Sequence, residues 1–234
     1  MKLLVATAVL LALHSASAAA AAGPAKKAPV THDWTRTVVA TPEGGFAMGN
    51  PAAKVKLVEY GSLACPHCRH FEETGYKPLV QRYVSTGQVR YEFRNLLISG
   101  PDISISLLAH CAGPSKFFPM SEFVYSTQEQ WEKKFQGMSD ADQQAIEKMS
   151  DQERIVRFAQ IGGFGQIAAR FGLPPARIKQ CLADPKGLKQ LLDWTQAAMT
   201  GGIGHTPTFI IDGKESSAAT WEDLEPQLKK ALGG

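Results

Sequence analysis

Cys65, Pro66, His67 and Cys68 form a C-P-H-C run directly after a short apolar stretch. Two thiols at that spacing suit a redox-active dithiol, half of a zinc site, or a tight structural disulfide. The other cysteines, Cys111 and Cys181, stand alone, so the four lack the second C-x-x-C of a four-cysteine zinc site. A structural bridge within C-P-H-C would close too short a ring to do much for chain entropy. A two-cysteine copper site drawing on His67 or His70 is the competing metal chemistry. The redox dithiol is the expectation, with no metal and no cofactor beyond the Cys65–Cys68 disulfide itself.

The residues around the motif say how it would work. Lys54 to Tyr60 is β-branched and apolar-rich and reads as a central strand. Pro66 suits the first position of a helix, where its missing N–H costs nothing. Cys65 therefore falls at a helix N-terminus, where unpaired N–H groups and the helix dipole favour a thiolate. His67, if protonated, would add a positive charge. Cys68, one turn on, can close the disulfide or resolve a mixed one. Glu59, six residues before Cys65, is either a capped strand residue or a proton-transfer group. His205, next to Thr206 and Pro207, is either near the dithiol or a solvated loop histidine.

The helix after Cys65 is expected to reach about residue 85, bent near Gly75 and Pro78, and Val89 to Leu96 reads as the next strand. Residues 103 to about 199 read as helical, with Leu107, Leu108 and Cys111 on one face and Ile178, Cys181 and Leu182 on another. Asp184–Pro185 starts a helix with Leu188, Leu191 and Leu192 inward. The aromatics Phe117, Phe118, Phe123, Tyr125 and Trp131 and His110 read as packing residues. Thr206 to Ile211 is a strand followed by an Asp212–Gly213 turn. Thr220 with Asp223 caps a last helix.

Compartment decides how cysteines are used. Met1–Lys2, an apolar run from Leu3 to Leu13 and small residues from Ser15 to Ala22 read as a secretory signal cleaved near 18–22. That run is too short to span a bilayer, and no later stretch is apolar enough to do so. Four cysteines, an even count in an exported chain, favour disulfide chemistry, and Cys111 and Cys181 are expected to be bonded to each other or kept as buried thiols. A net charge of +3 over 234 residues, with no dense basic run, gives no support for nucleic-acid binding.

A strand running into C-P-H-C at a helix start, a helical insertion, and T-P-T-F (206–209) before a strand and a last helix resemble the DsbA family of exported thiol:disulfide oxidoreductases. The resemblance covers about Gly45 to Leu232. It implies an α/β, thioredoxin-like fold with an inserted α-helical domain: signal peptide 1–22, flexible leader 23–44, first thioredoxin-like part 45–102, helical insertion 103–199, second part 200–234. It further implies a cis Pro207 beside the disulfide, Thr206 offering backbone groups to an extended peptide, and a buried acid at Glu59. The family's lysine partner for that acid is not matched; Tyr91 stands in its place, with Arg90 and Arg94 beside it. The implied activity is periplasmic oxidation of dithiols in reduced or unfolded exported proteins. The implied partner is a DsbB-like membrane reoxidant. The segment before Gly45 is too short for the dimerisation domain of DsbC-like isomerases, so a monomer is expected. The alternatives are an isomerase or reductase, a periplasmic copper-binding metal-tolerance protein, and a redox-inactive peptide-binding chaperone. The intact dithiol argues against the last.

Overall fold

A computed structural model describes residues 32–234; the expected signal peptide lies outside them. Six strands form one mixed sheet in the order β1-β2-β4-β3-β5-β6. They are β1 (Val38–Ala40), β2 (Gly45–Met48), β3 (Val55–Gly61), β4 (Val89–Asn95), β5 (Thr208–Ile211) and β6 (Lys214–Glu215). β3 is central, parallel to β4 and antiparallel to β5. Alternation decides the faces. Val55, Leu57 and Glu59 on β3 and Val89, Tyr91 and Phe93 on β4 are buried, while Lys56, Arg90, Glu92 and Arg94 point to the wetter side.

Between β3 and β4 runs α1 (66–84). Its segments Glu72–Tyr76 and Val80–Val84 are π-helical, with α-helical Lys77–Leu79 between them. The helix widens on both sides of Pro78, which accommodates a proline that has no N–H for an i−4 bond.

The leader expected over 23–44 is corrected from His32 onward. Trp34–Arg36 forms a 3-10 turn, and Val38, Val39 and Ala40 pair with Met48, Ala47 and Phe46. The hairpin closes through Thr41, whose hydroxyl accepts the Gly45 N–H at 2.9 Å and donates to Glu92 at 2.6 Å. Gly44 has φ +82°, and a Cβ there would lie 2.0 Å from the Trp194 ring, so both the turn and the packing require glycine.

Helices fill the chain from β4 to β5: α2 (Gly100–Ala112), α3 (Pro114–Ser126), α4 (Gln128–Gln136), α5 (Asp140–Glu147), α6 (Asp151–Gly162), α7 (Phe164–Arg170), α8 (Pro175–Leu182) and α9 (Pro185–Thr200). The block begins three residues before the expected 103, because Ser99 caps α2 by accepting the Asp102 N–H. Its last helix also belongs to the sheet: Thr195 on α9 accepts the Leu97 N–H at 3.2 Å, and Trp194 packs on Gly44. Leu191 is buried as expected, but Leu192 is 43% exposed, since one helix face cannot turn both adjacent residues inward. The chain ends in α10 (Trp221–Leu232), capped by Thr220 through the Asp223 N–H. No helix among the described residues is long and apolar enough to cross a membrane.

Cys111 at the end of α2 is bonded to Cys181 on α8, 70 residues apart in sequence with Cα atoms 6.2 Å apart. Of the two states open for these thiols, the structure has the bridge. A ring of that length constrains the unfolded chain by about 4 kcal/mol. Cys111→Ala/Cys181→Ala is therefore expected to lose about 2–4 kcal/mol in urea unfolding while retaining dithiol chemistry at Cys65 and Cys68. Mass spectrometry of unreduced peptides checks the pairing.

Candidate active site

β3 delivers the chain to one end of the sheet, where residues 62–64 turn it into α1. Cys65 is the N-cap, with extended backbone (φ −88°, ψ 124°), and Pro66 occupies the first helical turn. Both thiols are reduced and buried: Cys65 is 4% exposed and Cys68 1%. Pro66 and His67 between them face solvent. The Thr206–Pro207 bond is cis, and Cys65 Sγ lies 3.4 Å from the Thr206 carbonyl oxygen. Pro207 is buried and Thr206 half-buried.

The two thiols are driven in opposite directions. Cys65 is pulled down to about 5, chiefly by the neighbouring Cys68 thiol, then by Thr206 and the main chain of Cys68 and His67 at the helix start, against burial. Cys68 is pushed well above the ordinary thiol range by burial, by the neighbouring Cys65 thiol, and by the charges of Glu59 and Cys65. The result is a thiolate at Cys65 beside a thiol at Cys68. His67 lies beside Cys65 and contributes its main chain to lowering that thiol.

Glu59 is 2% exposed beneath the pair. Tyr91 donates to its Oε2 at 2.6 Å, across the parallel β3–β4 ladder. Burial lifts the carboxyl to about 8, against the Tyr91 hydrogen bond, and the Cys65 charge pushes the same way as burial. A neutral acid bonded to a phenol replaces the charged pair expected of the family. His205 is exposed, with its ring Nδ1 2.8 Å from Thr208 Oγ1, which also donates to the His205 carbonyl. The structure uses it to shape the loop. Among the described residues, no three His, Cys, Asp or Glu side chains converge as a metal-ligand set.

Three side chains hold the 62–64 loop: Asp102 and Gln128, not singled out in the sequence, and Tyr125, read there only as a packing residue. Asp102 accepts from Ser62 Oγ (2.7 Å) and Leu63 N–H (3.2 Å), Tyr125 Oη donates to the Ser62 carbonyl (2.9 Å), and Gln128 Nε2 donates to the Leu63 carbonyl (3.3 Å). For Asp102 the Ser99-x-x-Asp102 cap pattern was visible; its long-range contacts were not.

Two measurements follow from these environments. Thiolate absorbance of the reduced protein should titrate with a midpoint near 5, and brief alkylation at pH 5–6 should label Cys65 alone. Equal labelling of Cys68 would refute the asymmetry. For Glu59 the folded value lies above the unfolded ~4.3, so the protonated form favours folding and the cost of the site grows as pH rises from about 4 to about 8. Glu59→Gln should gain stability over wild type across that window, by roughly 3–5 kcal/mol in urea unfolding. A difference independent of pH would mean that the carboxyl is not perturbed.

Residues 41–230 match the family described as Thioredoxin. The chain is 26% identical over 193 residues to a putative protein-disulfide oxidoreductase of Rickettsia bellii, covering 81% of this chain but only 65% of that protein's length. Among solved structures, a protein-disulfide isomerase from Novosphingobium aromaticivorans superposes with TM-score 0.77 at 28% identity, covering 87% of this chain and all of the other. Wolbachia pipientis alpha-DsbA1 gives 0.64 at 21% identity, covering 80% of this chain and 90% of its own. The expected thioredoxin-like fold with a helical insertion is the fold observed. The chain belongs to the thioredoxin family.

Proposed function

We propose that this protein is a thiol:disulfide oxidoreductase that acts as a dithiol oxidase on reduced exported proteins in the periplasm, with a DsbB-like membrane protein restoring its disulfide. The observation that carries this is the placement of Cys65 at the N-cap of α1 beside the cis Thr206–Pro207 bond, with Cys68 buried one turn on, which lowers the first thiol and raises the second. In the oxidised protein a substrate thiolate attacks Cys65 Sγ and breaks the Cys65–Cys68 bond. Cys68 leaves as an anion that its site disfavours, and protonated Glu59 supplies the proton. A second substrate thiolate then attacks the substrate sulfur of the mixed disulfide and expels Cys65 as a stabilised thiolate. Two electrons pass to the protein; one substrate proton ends on Cys68 through Glu59, and the other goes to solvent. Thr206 and Pro207 beside Cys65 offer the backbone edge for an extended substrate. A low-pKa leaving group makes such a pair oxidising.

The test is which redox state folds more stably. Cys65 titrates only when reduced. Its folded value, about 5, lies below the unfolded ~8.5, so its contribution is full above the unfolded value and is lost as pH falls through the folded one. At pH 7 this gives the reduced fold on the order of 2–3 kcal/mol before solvent screening trims it. Closing the short ring favours the oxidised state by roughly 2 kcal/mol. Urea unfolding in the Cys111→Ala/Cys181→Ala background should find the reduced form the more stable at pH 7 and the oxidised form the more stable at pH 4. A reduced form that gains nothing on the oxidised form between pH 4 and pH 7 would reject the oxidase in favour of an isomerase or reductase.

A further inference from the structure

Asp102 is fully buried at the start of α2, and its carboxylate reaches beyond its own helix. Oδ1 accepts the Leu63 N–H (3.2 Å) and Ser106 Oγ (3.3 Å), and Oδ2 accepts Ser62 Oγ (2.7 Å) and the Ile98 N–H (3.0 Å). One carboxylate thus joins the loop that leads into Cys65, the loop that follows β4, and α2. The joint is close to the chemistry. Ser62 Oγ also accepts the Ala64 N–H at 3.0 Å, and the Ser62 carbonyl accepts the Cys65 N–H at 3.1 Å. Every residue from 62 to 65 is therefore tied to Asp102 directly or through Ser62.

We infer that Asp102 is a positioning residue for Cys65: by fixing Ser62 and Leu63 it holds the N-cap geometry that keeps Sγ at the start of α1 and beside the Thr206 carbonyl. The inference rests on Cys65 being the attacking thiol. The donors explain why a carboxylate is needed. Each oxygen faces a backbone N–H, which cannot reverse its role, so an amide NH₂ on either side would set donor against donor. Leaving such a buried donor unpaired costs more than the bond is worth when made. Burial lifts the carboxyl only to about 6 because four hydrogen bonds oppose it, so at pH 7 it is the ionised acceptor.

Position and charge predict opposite outcomes. A nearby negative charge disfavours a thiolate, so an Asp102 acting through its charge alone would make Cys65 more stable as S⁻ once neutralised. An Asp102 acting through position would make it less so. The experiment equilibrates Asp102→Asn with glutathione at pH 7 and also titrates the Cys65 thiolate absorbance. Positioning predicts a pair about tenfold less oxidising, with the thiolate midpoint raised by about one unit. Ser104→Ala is the control. Ser104 lies on the same helix and donates to the Ile155 carbonyl at 2.9 Å, so its loss should lower thermal stability and leave the glutathione constant alone. An unchanged or more oxidising Asp102→Asn would overturn the inference. If that variant does not fold, Ser62→Ala decides by the same two readouts, since it removes the 2.7 Å bond and spares the buried carboxylate. A wild-type protein that neither exchanges with glutathione nor titrates near 5 would instead reject the function proposed above.

Discussion

The placement of two thiols across the first turn of α1, one at the N-cap and one buried inside the helix, governs the chemistry of the whole molecule. Two identical side chains three residues apart become opposites because one is the N-cap and the other lies inside the helix. Magnitudes identify the larger cause. A helix end contributes at most about 2 kcal/mol to a nearby charge. Moving a thiol from ~8.5 to about 5 takes roughly 5 kcal/mol. The dipole alone falls short by more than half, and the neighbouring Cys68 thiol stands first among the other causes. Cys68 can act so only while it keeps its proton, which its burial ensures. The exposed edge of the site and its dry interior are thus one device.

The same burial makes Glu59 useful. An ionised carboxylate in so dry a position would need a cation partner, and among the described residues Glu59 makes no ion pair. Tyr91 offers a phenol in place of a positive charge. A phenol stabilises the carboxylate less than an ammonium would, so the acid keeps its proton to about 8. A proton held there at neutral pH is what the proposed oxidation asks of Glu59, since the affinity of Cys68 for a proton is higher. The Arg90 and Arg94 that flank Tyr91 in sequence do not change this, because alternation puts them on the opposite face, where Arg94 pairs with Glu92.

Legibility in the sequence follows the range of the interaction. Cys65, Pro66 and Cys68 define a helix start through local chemistry, as do the Asp184 and Thr220 caps and the Asp212–Gly213 turn, and each lies where its local pattern placed it. The glutamate's phenol partner was visible as a departure from the family pattern. The β1–β2 hairpin was missed because strands of three and four residues are too short to show a period, and its turn is fastened to Glu92, over fifty residues on. Leu192 was misassigned because the α9 pattern offers three leucines for a face that buries only one of them fully. The grip of Asp102, Tyr125 and Gln128 on residues 62–64 spans 39 to 65 positions. Nothing in a linear pattern reports such a contact.

That grip gives the helical block a chemical role beyond covering the sheet. The dithiol sits where a strand ends, and a strand end is held only by what packs on it. Backbone pairing stops at Gly61, whose carbonyl accepts the Leu96 N–H. Beyond it, the loop's carbonyls and N–H groups would otherwise be satisfied by water, in many geometries. Asp102, Tyr125 and Gln128 replace that water with fixed partners from three consecutive helices. The Cys111–Cys181 bridge lies at the far end of α2, nine residues or about 13 Å from Asp102 along the helix axis. Between them Ile105 and Leu108 are fully buried, so packing and the bridge anchor α2 while its first turn holds the loop. The block therefore separates two jobs along one helix: durability at the disulfide end, reactivity at the carboxylate end.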